Sequence, residues 1–233
     1  MGNNEHIVNN PLRALGLEKN ATEDGSQAIM GLVMARAGLG KTAILVQFAL
    51  DCMLLGNKVL HVSIGEGVEK TRAWYDDILS LLTDGEKIES IPEIMKNRMI
   101  MTFKESSFSK ALLEERLDDL VQQNIYKPEC LIIDGYDFEN NDKESLEEMR
   151  NFMHERGLKM IWFSAVSHRG DERVSVDGVP APCHEVDSLF ETVLSIKPEG
   201  DAMLLDILKC DDCAMDPGTT LKLDPSTMLI QKG

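Results

Sequence analysis

Two patterns of apolar and polar positions alternate along the chain from about residue 27 to residue 166. Short and almost wholly apolar runs, such as QAIMGLVMA (27–35) and KMIWFSAV (159–166), are typical of strands buried on both faces. Between them lie longer segments with apolar residues at helical spacing, such as VEKTRAWYDDILSLLTDG (68–85). This alternation predicts a mainly parallel sheet with right-handed crossovers.

The periodicity sets the expected bounds of these elements. Strands are predicted over residues 27–35, 57–64, 98–104, 129–136 and 159–166, and helices over residues 42–56, 68–85, 109–123 and 143–156. The segment HRGDERVSVDGVPAPCHEVD (168–187) is polar and rich in turn residues, which predicts a long surface loop. Short β-like stretches then follow between turns, in ETVLSIK, AMLLDILK, TTLKLD and STMLI. The predicted fold class is therefore α/β, a mainly parallel twisted sheet with helices on both faces and an antiparallel β extension at the C-terminus.

The chain has 233 residues, which suits one large α/β domain. We expect an N-terminal extension over residues 1–24 and a single domain over residues 25–233. No apolar run approaches the roughly 20 residues of a membrane span, and the first residues lack the pattern of a secretory signal. The expected location is the cytoplasm, with no membrane span.

Composition narrows the expected partners. The formal net charge is −16, and no basic cluster is visible, so a nucleic acid is disfavoured as the main partner. The cysteines are Cys52, Cys130, Cys183, Cys210 and Cys213. Their odd number and the apolar setting of two of them argue against a disulfide framework and predict reduced thiols.

The segment ARAGLGKT (35–42) carries the most specific signal, because it ends in the Gly-Lys-Thr of a phosphate-binding loop. A predicted strand precedes it and a predicted helix follows it. Lys41 is expected to reach the β- and γ-phosphates of a nucleotide, and the Thr42 hydroxyl to bind Mg²⁺. The small loop residues let backbone N–H groups approach phosphate oxygens; the expected binding residues are Ala37, Gly38, Leu39, Gly40, Lys41, Thr42 and Ala43. Ala35 stands where the usual pattern has glycine, and it is tolerated if its φ is negative.

Two carboxylates complete the expected site. Asp134 ends the apolar run CLIID, the usual place for a carboxylate that holds Mg²⁺ through water. Glu66 follows the second predicted strand, where a carboxylate can polarise water for attack on the γ-phosphate. Lys41 and Glu66 are therefore the predicted catalytic residues, and Thr42 and Asp134 the predicted Mg²⁺ ligands.

These residues together resemble the RecA-like P-loop ATPases, especially the KaiC, RadA and DnaB-helicase branch. KVLHVSIGEGVEKTRAW (58–74) resembles that branch's strand with a catalytic glutamate pair, with Glu66 on the second glutamate and Gly65 in place of the first. The resemblance implies ATP and Mg²⁺ as ligands and self-assembly into a homo-oligomer. It also implies a γ-phosphate sensor at Ser164, Ser167 or His168.

The C-terminal stretch FETVLSIKPEGDAMLLDILKCDDC (190–213) resembles that family's terminal β-hairpin, which reaches a neighbouring subunit's γ-phosphate with a K-x-R pair. Lys209 falls on the lysine, but Asp211 replaces the arginine. Arg169 and Arg173 are the candidates to supply an arginine from elsewhere. This departure favours slow turnover.

ARAGLGKT also resembles the deviant phosphate loop of the ParA and MinD ATPases, with Arg36 in place of the signature lysine. The stretch SIGEG (63–67) lacks the aspartate expected there, and so favours the RecA-like interpretation. The predicted function is a Mg²⁺-dependent slow ATPase that acts as a nucleotide-dependent switch or regulator. A non-hydrolysing, nucleotide-gated scaffold for a protein partner and a ParA-like positioning ATPase are the alternatives.

Overall fold

A computed structural model describes residues 11–22, 28–83, 91–140, 143–211 and 213–231. In these ranges the strands are β1 (Ile29–Ala35), β2 (Val59–Ile64), β3 (Arg98–Phe103), β4 (Cys130–Asp134), β5 (Met160–Val166), β6 (Thr192–Glu199), β7 (Ala202–Cys210) and β8 (Thr220–Leu223). The helices are α1 (Pro11–Leu15), α2 (Glu18–Thr22), α3 (Lys41–Leu54), α4 (Val68–Leu82), α5 (Ile91–Met95), α6 (Lys110–Gln122) and α7 (Lys143–Arg156).

These strands form one sheet in the order β3-β2-β4-β5-β1-β6-β7-β8. Strands β1 to β6 pair in parallel, β7 pairs antiparallel with β6, and β8 pairs antiparallel with β7. The predicted fold class is thus confirmed. Because β1, β2, β4 and β5 are parallel neighbours or near neighbours, their carboxyl ends meet at one edge of the sheet.

Two apolar layers cover the sheet. Side chains of α1 to α5 pack on one face around Phe48 and Trp162, whose rings stack with centroids 3.9 Å apart. Side chains of α6 and α7 pack on the other face, around Phe152 and Phe163. Both layers bury nearly all of the apolar residues of β1, β2, β4 and β5, which explains why those strands are continuously apolar in sequence.

The surface-loop prediction for residues 168–187 is wrong for its second half. Val179, Ala181 and Cys183 are each at most 2% exposed, and Val179 and Cys183 join the apolar layer on the α6–α7 side. Val174 and Pro180 pair as a short bridge, which leaves Val176 fully exposed at the turn between them. The apolar residues of this part are interrupted by Gly, Pro and Asp, so they show neither the helical nor the strand periodicity that indicates a buried element.

The expectation of reduced thiols is wrong for one pair. Cys210, the last residue of β7, forms a disulfide with Cys213 just beyond it, whereas Cys52, Cys130 and Cys183 are free and buried. Their Cα atoms lie 5.5 Å apart, a closeness that no count of cysteines reveals.

Residues 11–22 lie within the expected N-terminal extension, and they pack on the same face as α3. Leu12, Leu15 and Leu17 are fully buried against that layer. The domain bounds at residues 24 and 25 fall outside the described residues and stay a prediction. No helix in the described ranges has the length and apolar character that crossing a membrane requires.

Candidate functional site

The loop between β1 and α3 contains two glycines in the left-handed backbone conformation. Gly38 and Gly40 have φ values of 78° and 82°, which favour glycine because a Cβ is strained there. Ala35, the last residue of β1, is not in the left-handed region, so its Cβ is tolerated at the position that is usually glycine. The loop therefore has the phosphate-loop geometry that the sequence predicts, with α3 beginning directly after Gly40.

The predicted loop residues lie where strand and helix meet. Ala37 and Gly38 are exposed, Leu39 and Gly40 are half-buried, and Ala43 is buried in the first turn of α3. The N-terminus of α3 thus points its free N–H groups and the positive end of its dipole at the loop. An anion is favoured at this position.

Lys41 lies across this loop. Its Nζ donates to the carbonyl oxygens of Ala35, at 3.4 Å, and Arg36, at 3.3 Å. Partial burial lowers the pKa of Lys41, and the nearby Asp134 carboxylate partly offsets that effect. Both contacts are long, so the ammonium group keeps donor capacity for an anion in the cavity.

Asp134 joins three elements at the carboxyl edge of the sheet. Its Oδ2 accepts a 2.6 Å hydrogen bond from Thr42 Oγ1, and its Oδ1 accepts a 2.5 Å bond from Ser164 Oγ. Ser164 Oγ in turn accepts from the Gly135 backbone N–H at 3.1 Å. The three predicted residues therefore form one chain of hydrogen bonds, in which both carboxylate oxygens are fixed.

Thr42 and Asp134 supply a hydroxyl and a carboxylate, the oxygen donors that Mg²⁺ prefers. Mg²⁺ usually keeps several waters and takes its other ligands from substrate phosphates. A site with only these two protein donors therefore fits Mg²⁺ beside a nucleotide.

Thr42 and Asp134 form part of the floor of a cavity of about 820 Å³, and Ser164 supports Asp134 from behind that floor. Its walls come from the phosphate loop, from α4 and from the C-terminal residues Pro225–Met228. Ser63, which lies opposite Asp134 in the register of β2 and β4, adds to the floor. The cavity is open and lined by both polar and apolar groups, as a nucleotide site requires.

The C-terminal turn is the part of this cavity that sequence reasoning missed. Met228 packs so closely on Gly40 that a Cβ there would lie 2.6 Å from its Cε. The buried Gln47 of α3 donates to the Met228 carbonyl at 2.9 Å. Asp224 fixes the turn by accepting from the backbone N–H groups of Ser226 and Thr227. The stretch Asp224-Pro-Ser-Thr signals a turn, but no sequence feature indicates that it contacts the phosphate loop.

Glu66 follows β2 and lines the same cavity. Its carboxylate is about half exposed and pairs with Lys70, one turn along α4, at 2.5 Å. Lys41, Thr42, Glu66, Asp134 and Ser164 are thus brought together at one edge of the sheet, as the sequence predicts for β1, β2, β4 and β5.

A buried histidine lies beneath that floor. His61, two residues before Ser63 on β2, is fully buried, and its Nδ1 lies 3.0 Å from the Tyr75 hydroxyl of α4. Its Nε2 has no hydrogen-bond partner among the described residues. Burial lowers the pKa of His61 to about 4, so the ring is neutral at pH 7.

The remaining candidates lie outside this cavity. Ser167, His168 and Arg169 line a smaller cavity of about 460 Å³ with Arg36, beside the phosphate loop. His168 pairs with Glu139 at 3.0 Å, whereas no carboxylate within the described ranges pairs with Arg36 or Arg169.

The other two cationic candidates have partners within the chain. Arg173 donates two hydrogen bonds to Asp171, and the Lys209 ammonium lies 3.5 Å from the carbonyl of Asp187. Sequence spacing alone does not distinguish Arg169 from Arg173. The structure does, because Arg173 is bonded to Asp171 whereas Arg169 lines the cavity beside the phosphate loop.

Comparisons with known proteins bear on the fold. No protein-family model matches the chain, and no curated protein does. Among solved structures it is similar to "ATPase Domain of G40P", with a TM-score of 0.59 and 13% sequence identity over 84% of this chain and 80% of that chain. With the strand order and the loop geometry above, this similarity identifies a RecA-like P-loop ATPase fold. At this identity the likeness concerns the fold alone.

Proposed function

We propose that this protein binds ATP with Mg²⁺ and hydrolyses it slowly, acting as a nucleotide-dependent switch or regulator of RecA/KaiC-like type. The observation that carries the proposal is the hydrogen-bond chain Thr42–Asp134–Ser164, of which Thr42 and Asp134 line the 820 Å³ cavity together with Lys41. The Asp134 carboxylate at the end of β4 is bonded there by the first turn of α3 and by the neighbouring strand β5. Such convergence of hard oxygen donors beneath a phosphate loop suits Mg²⁺–ATP better than a neutral ligand.

The phosphates bind at the start of α3. Backbone N–H groups of the loop and the Lys41 ammonium donate to phosphate oxygens, and Lys41 then gives up its long contacts to the loop carbonyls. Thr42 and Asp134 hold the Mg²⁺ ion, which supplies neutralisation of phosphate charge when bound. The Thr42 hydroxyl and the Asp134 carboxylate, which bond to each other here, are the two side-chain groups that would hold the ion.

Glu66 orients the attacking water. Its carboxylate pairs with Lys70 in an exposed setting, and such surface pairs contribute only about 0–1 kcal/mol. Exchange of that partner for a water therefore costs little. Ser164 keeps Asp134 in place from the other side, a positioning role that suits a γ-phosphate sensor strand.

The nucleoside end of ATP lies between α4 and the C-terminal turn. Trp74 of α4 is half-buried and lines the cavity together with Met203 and Met228. An aromatic ring and thioether groups provide apolar surface for a base.

Assembly into a homo-oligomer belongs to the proposal as an expectation from the family resemblance. The alternative, a non-hydrolysing nucleotide-gated scaffold for a protein partner, is favoured by the Lys70–Glu66 pair if that pair persists with nucleotide bound. Turnover separates the two functions, because both require ATP binding.

The test is ATP turnover measured alongside oligomer size by light scattering, with and without Mg²⁺–ATP. Glu66→Gln is expected to lower turnover by about 10²- to 10⁴-fold and to keep ATP binding. Glu69→Gln is the matched control. Glu69 lies three residues after Glu66 and is exposed, but it does not line the cavity. Equal turnover of Glu66→Gln and wild type would remove Glu66 from the mechanism, and binding without any turnover would favour the scaffold.

A further inference from the structure

The disulfide between Cys210 and Cys213 fixes a turn that contacts the N-terminal segment. Ala214, the next residue, donates its backbone N–H to the Leu15 carbonyl at 2.8 Å. Gly16, with φ of 75°, lies so close that an added Cβ would be 2.6 Å from the Ala214 Cβ. The disulfide turn and the segment 11–22 are thus in direct contact.

The same segment is bound to the back of the phosphate-loop helix. The Leu12 N–H donates to Asp51 of α3 at 2.9 Å, and the Ala21 carbonyl accepts from Asn57 at 2.9 Å. Leu12, Leu15, Leu17 and Ala21 are fully buried against α3. We name residues 11–22 the N-terminal strap. It contacts the helix that begins at Lys41 through the Leu12–Asp51 hydrogen bond and a shared apolar layer.

We propose that Cys210–Cys213 is a reversible thiol–disulfide site, and that its redox state sets how firmly the N-terminal strap is held on α3. The disulfide restricts the turn that presents the Ala214 N–H to the strap. Opening it frees that turn, so the Leu15 and Gly16 contacts with Ala214 lose their fixed partner.

The geometry gives the two sulfurs different roles toward a reducing dithiol. Cys210 is 9% exposed and Cys213 is half-buried, so Cys213 is the more exposed of the two cysteines and its Sγ is the one attacked in the proposed step. A thiolate of the dithiol attacks Cys213 Sγ, the sulfur–sulfur bond breaks, and Cys210 leaves as a thiolate that then takes a proton. The second thiol of the reagent displaces Cys213 from the mixed disulfide. Two electrons pass from the dithiol, which leaves as a disulfide, to the protein, which gains two thiols.

Thr192 assists that departure. Its Oγ1 lies 3.3 Å from Cys210 Sγ, and a disulfide sulfur can only accept, so the hydroxyl is the donor. The same donor stabilises the leaving thiolate.

The experiment is amide hydrogen exchange of the full chain, read by mass spectrometry on peptides of the N-terminal strap, before and after treatment with dithiothreitol. We expect at least about tenfold faster exchange at residues 12–17 after reduction. Peptides of α7 serve as the internal control and stay unchanged. In denaturant, the unreduced protein should titrate three free thiols and the reduced protein five.

Two variants complete the test without reference to nucleotide. Cys210→Ala/Cys213→Ala is expected to exchange fast at the strap with or without dithiothreitol. Gly16→Val keeps the disulfide but forces the strap away from Ala214, so it should exchange fast even when oxidised. Five free thiols in protein purified without reductant, or equal strap exchange in oxidised and reduced wild type, would overturn the proposal.

Discussion

Thr42 and Asp134 lie 92 residues apart in the chain, and the Thr42 hydroxyl donates a 2.6 Å hydrogen bond to the Asp134 carboxylate. The bond ties the first turn of α3 to the end of β4. Because Ser164 holds the other oxygen of the same carboxylate, Asp134 has a fixed orientation before any ligand binds. In the proposed function this fixed carboxylate is preorganised for a cation between the helix and the sheet edge.

Asp134→Asn should weaken ATP binding in the presence of Mg²⁺ by about 10- to 100-fold, because the loss of its charge weakens the hold on the metal's waters. Binding without Mg²⁺ should change little. Calorimetric titration with and without Mg²⁺ measures both. Asp137→Asn is the control, since Asp137 lies three residues further along and bonds to the backbone of its own loop. An unchanged Mg²⁺ dependence in Asp134→Asn would show that the carboxylate does not serve the metal.

Arg169→Ala should lower turnover by at least about tenfold with little change in ATP affinity, if the arginine acts on transition-state charge. Its guanidinium lies beside the phosphate loop and has no carboxylate partner among the described residues. Arg173→Ala should leave turnover near that of wild type, because Arg173 is already bound to Asp171. The opposite ranking of the two variants would assign the role to Arg173.

Trp74 should report nucleotide binding by its fluorescence. The chain has two tryptophans, and the other, Trp162, is fully buried against Phe48. A change in emission on adding ATP should therefore disappear in Trp74→Phe, while ATP affinity falls only modestly. An equal change in Trp74→Phe and wild type would remove Trp74 from the base pocket.

His61 should make stability depend on pH. Burial lowers its pKa to about 4 in the folded state, whereas the unfolded chain binds the proton near pH 6.5. Below pH 6.5 the unfolded state therefore holds more protons, and stability falls as the pH drops toward 4. Between pH 7 and pH 4.5 the expected loss is about 2 kcal/mol from this group alone.

Urea denaturation of wild type and His61→Gln at both pH values isolates that effect. Burial raises the pKa of Asp51, so that group changes stability in the opposite direction over part of this range. Because Asp51 is present in both proteins, its contribution cancels in the difference between them. His61→Gln should lose less stability than wild type on acidification. A larger loss in the variant would contradict a neutral buried histidine.

The sequence predicts the parts of this protein that are local in the chain. The phosphate loop and its flanking elements occupy one contiguous segment, and Asp134 ends a strand whose apolar run is unambiguous. The parallel-sheet rule then brings Glu66, Asp134 and Ser164 to one edge without any long-range information.

The missed features depend on long-range packing. The contact of Met228 with Gly40 and the docking of the N-terminal strap on α3 bring segments from both sides of the sequence onto the phosphate-loop helix. The short helices α1, α2 and α5 have five residues each, too few for a periodic signal. The Cys210–Cys213 pair closes only because a turn follows β7.

ATP binding by wild type and Lys41→Ala, titrated by calorimetry in the presence of Mg²⁺, tests the central claim most directly. Lys70→Ala is the matched control, because Lys70 lines the same cavity but is exposed and pairs with Glu66. We predict saturable binding to wild type and Lys70→Ala, and a loss of at least about tenfold in affinity for Lys41→Ala. Absence of binding to wild type, or equal affinity of Lys41→Ala, would contradict a working nucleotide site at this loop.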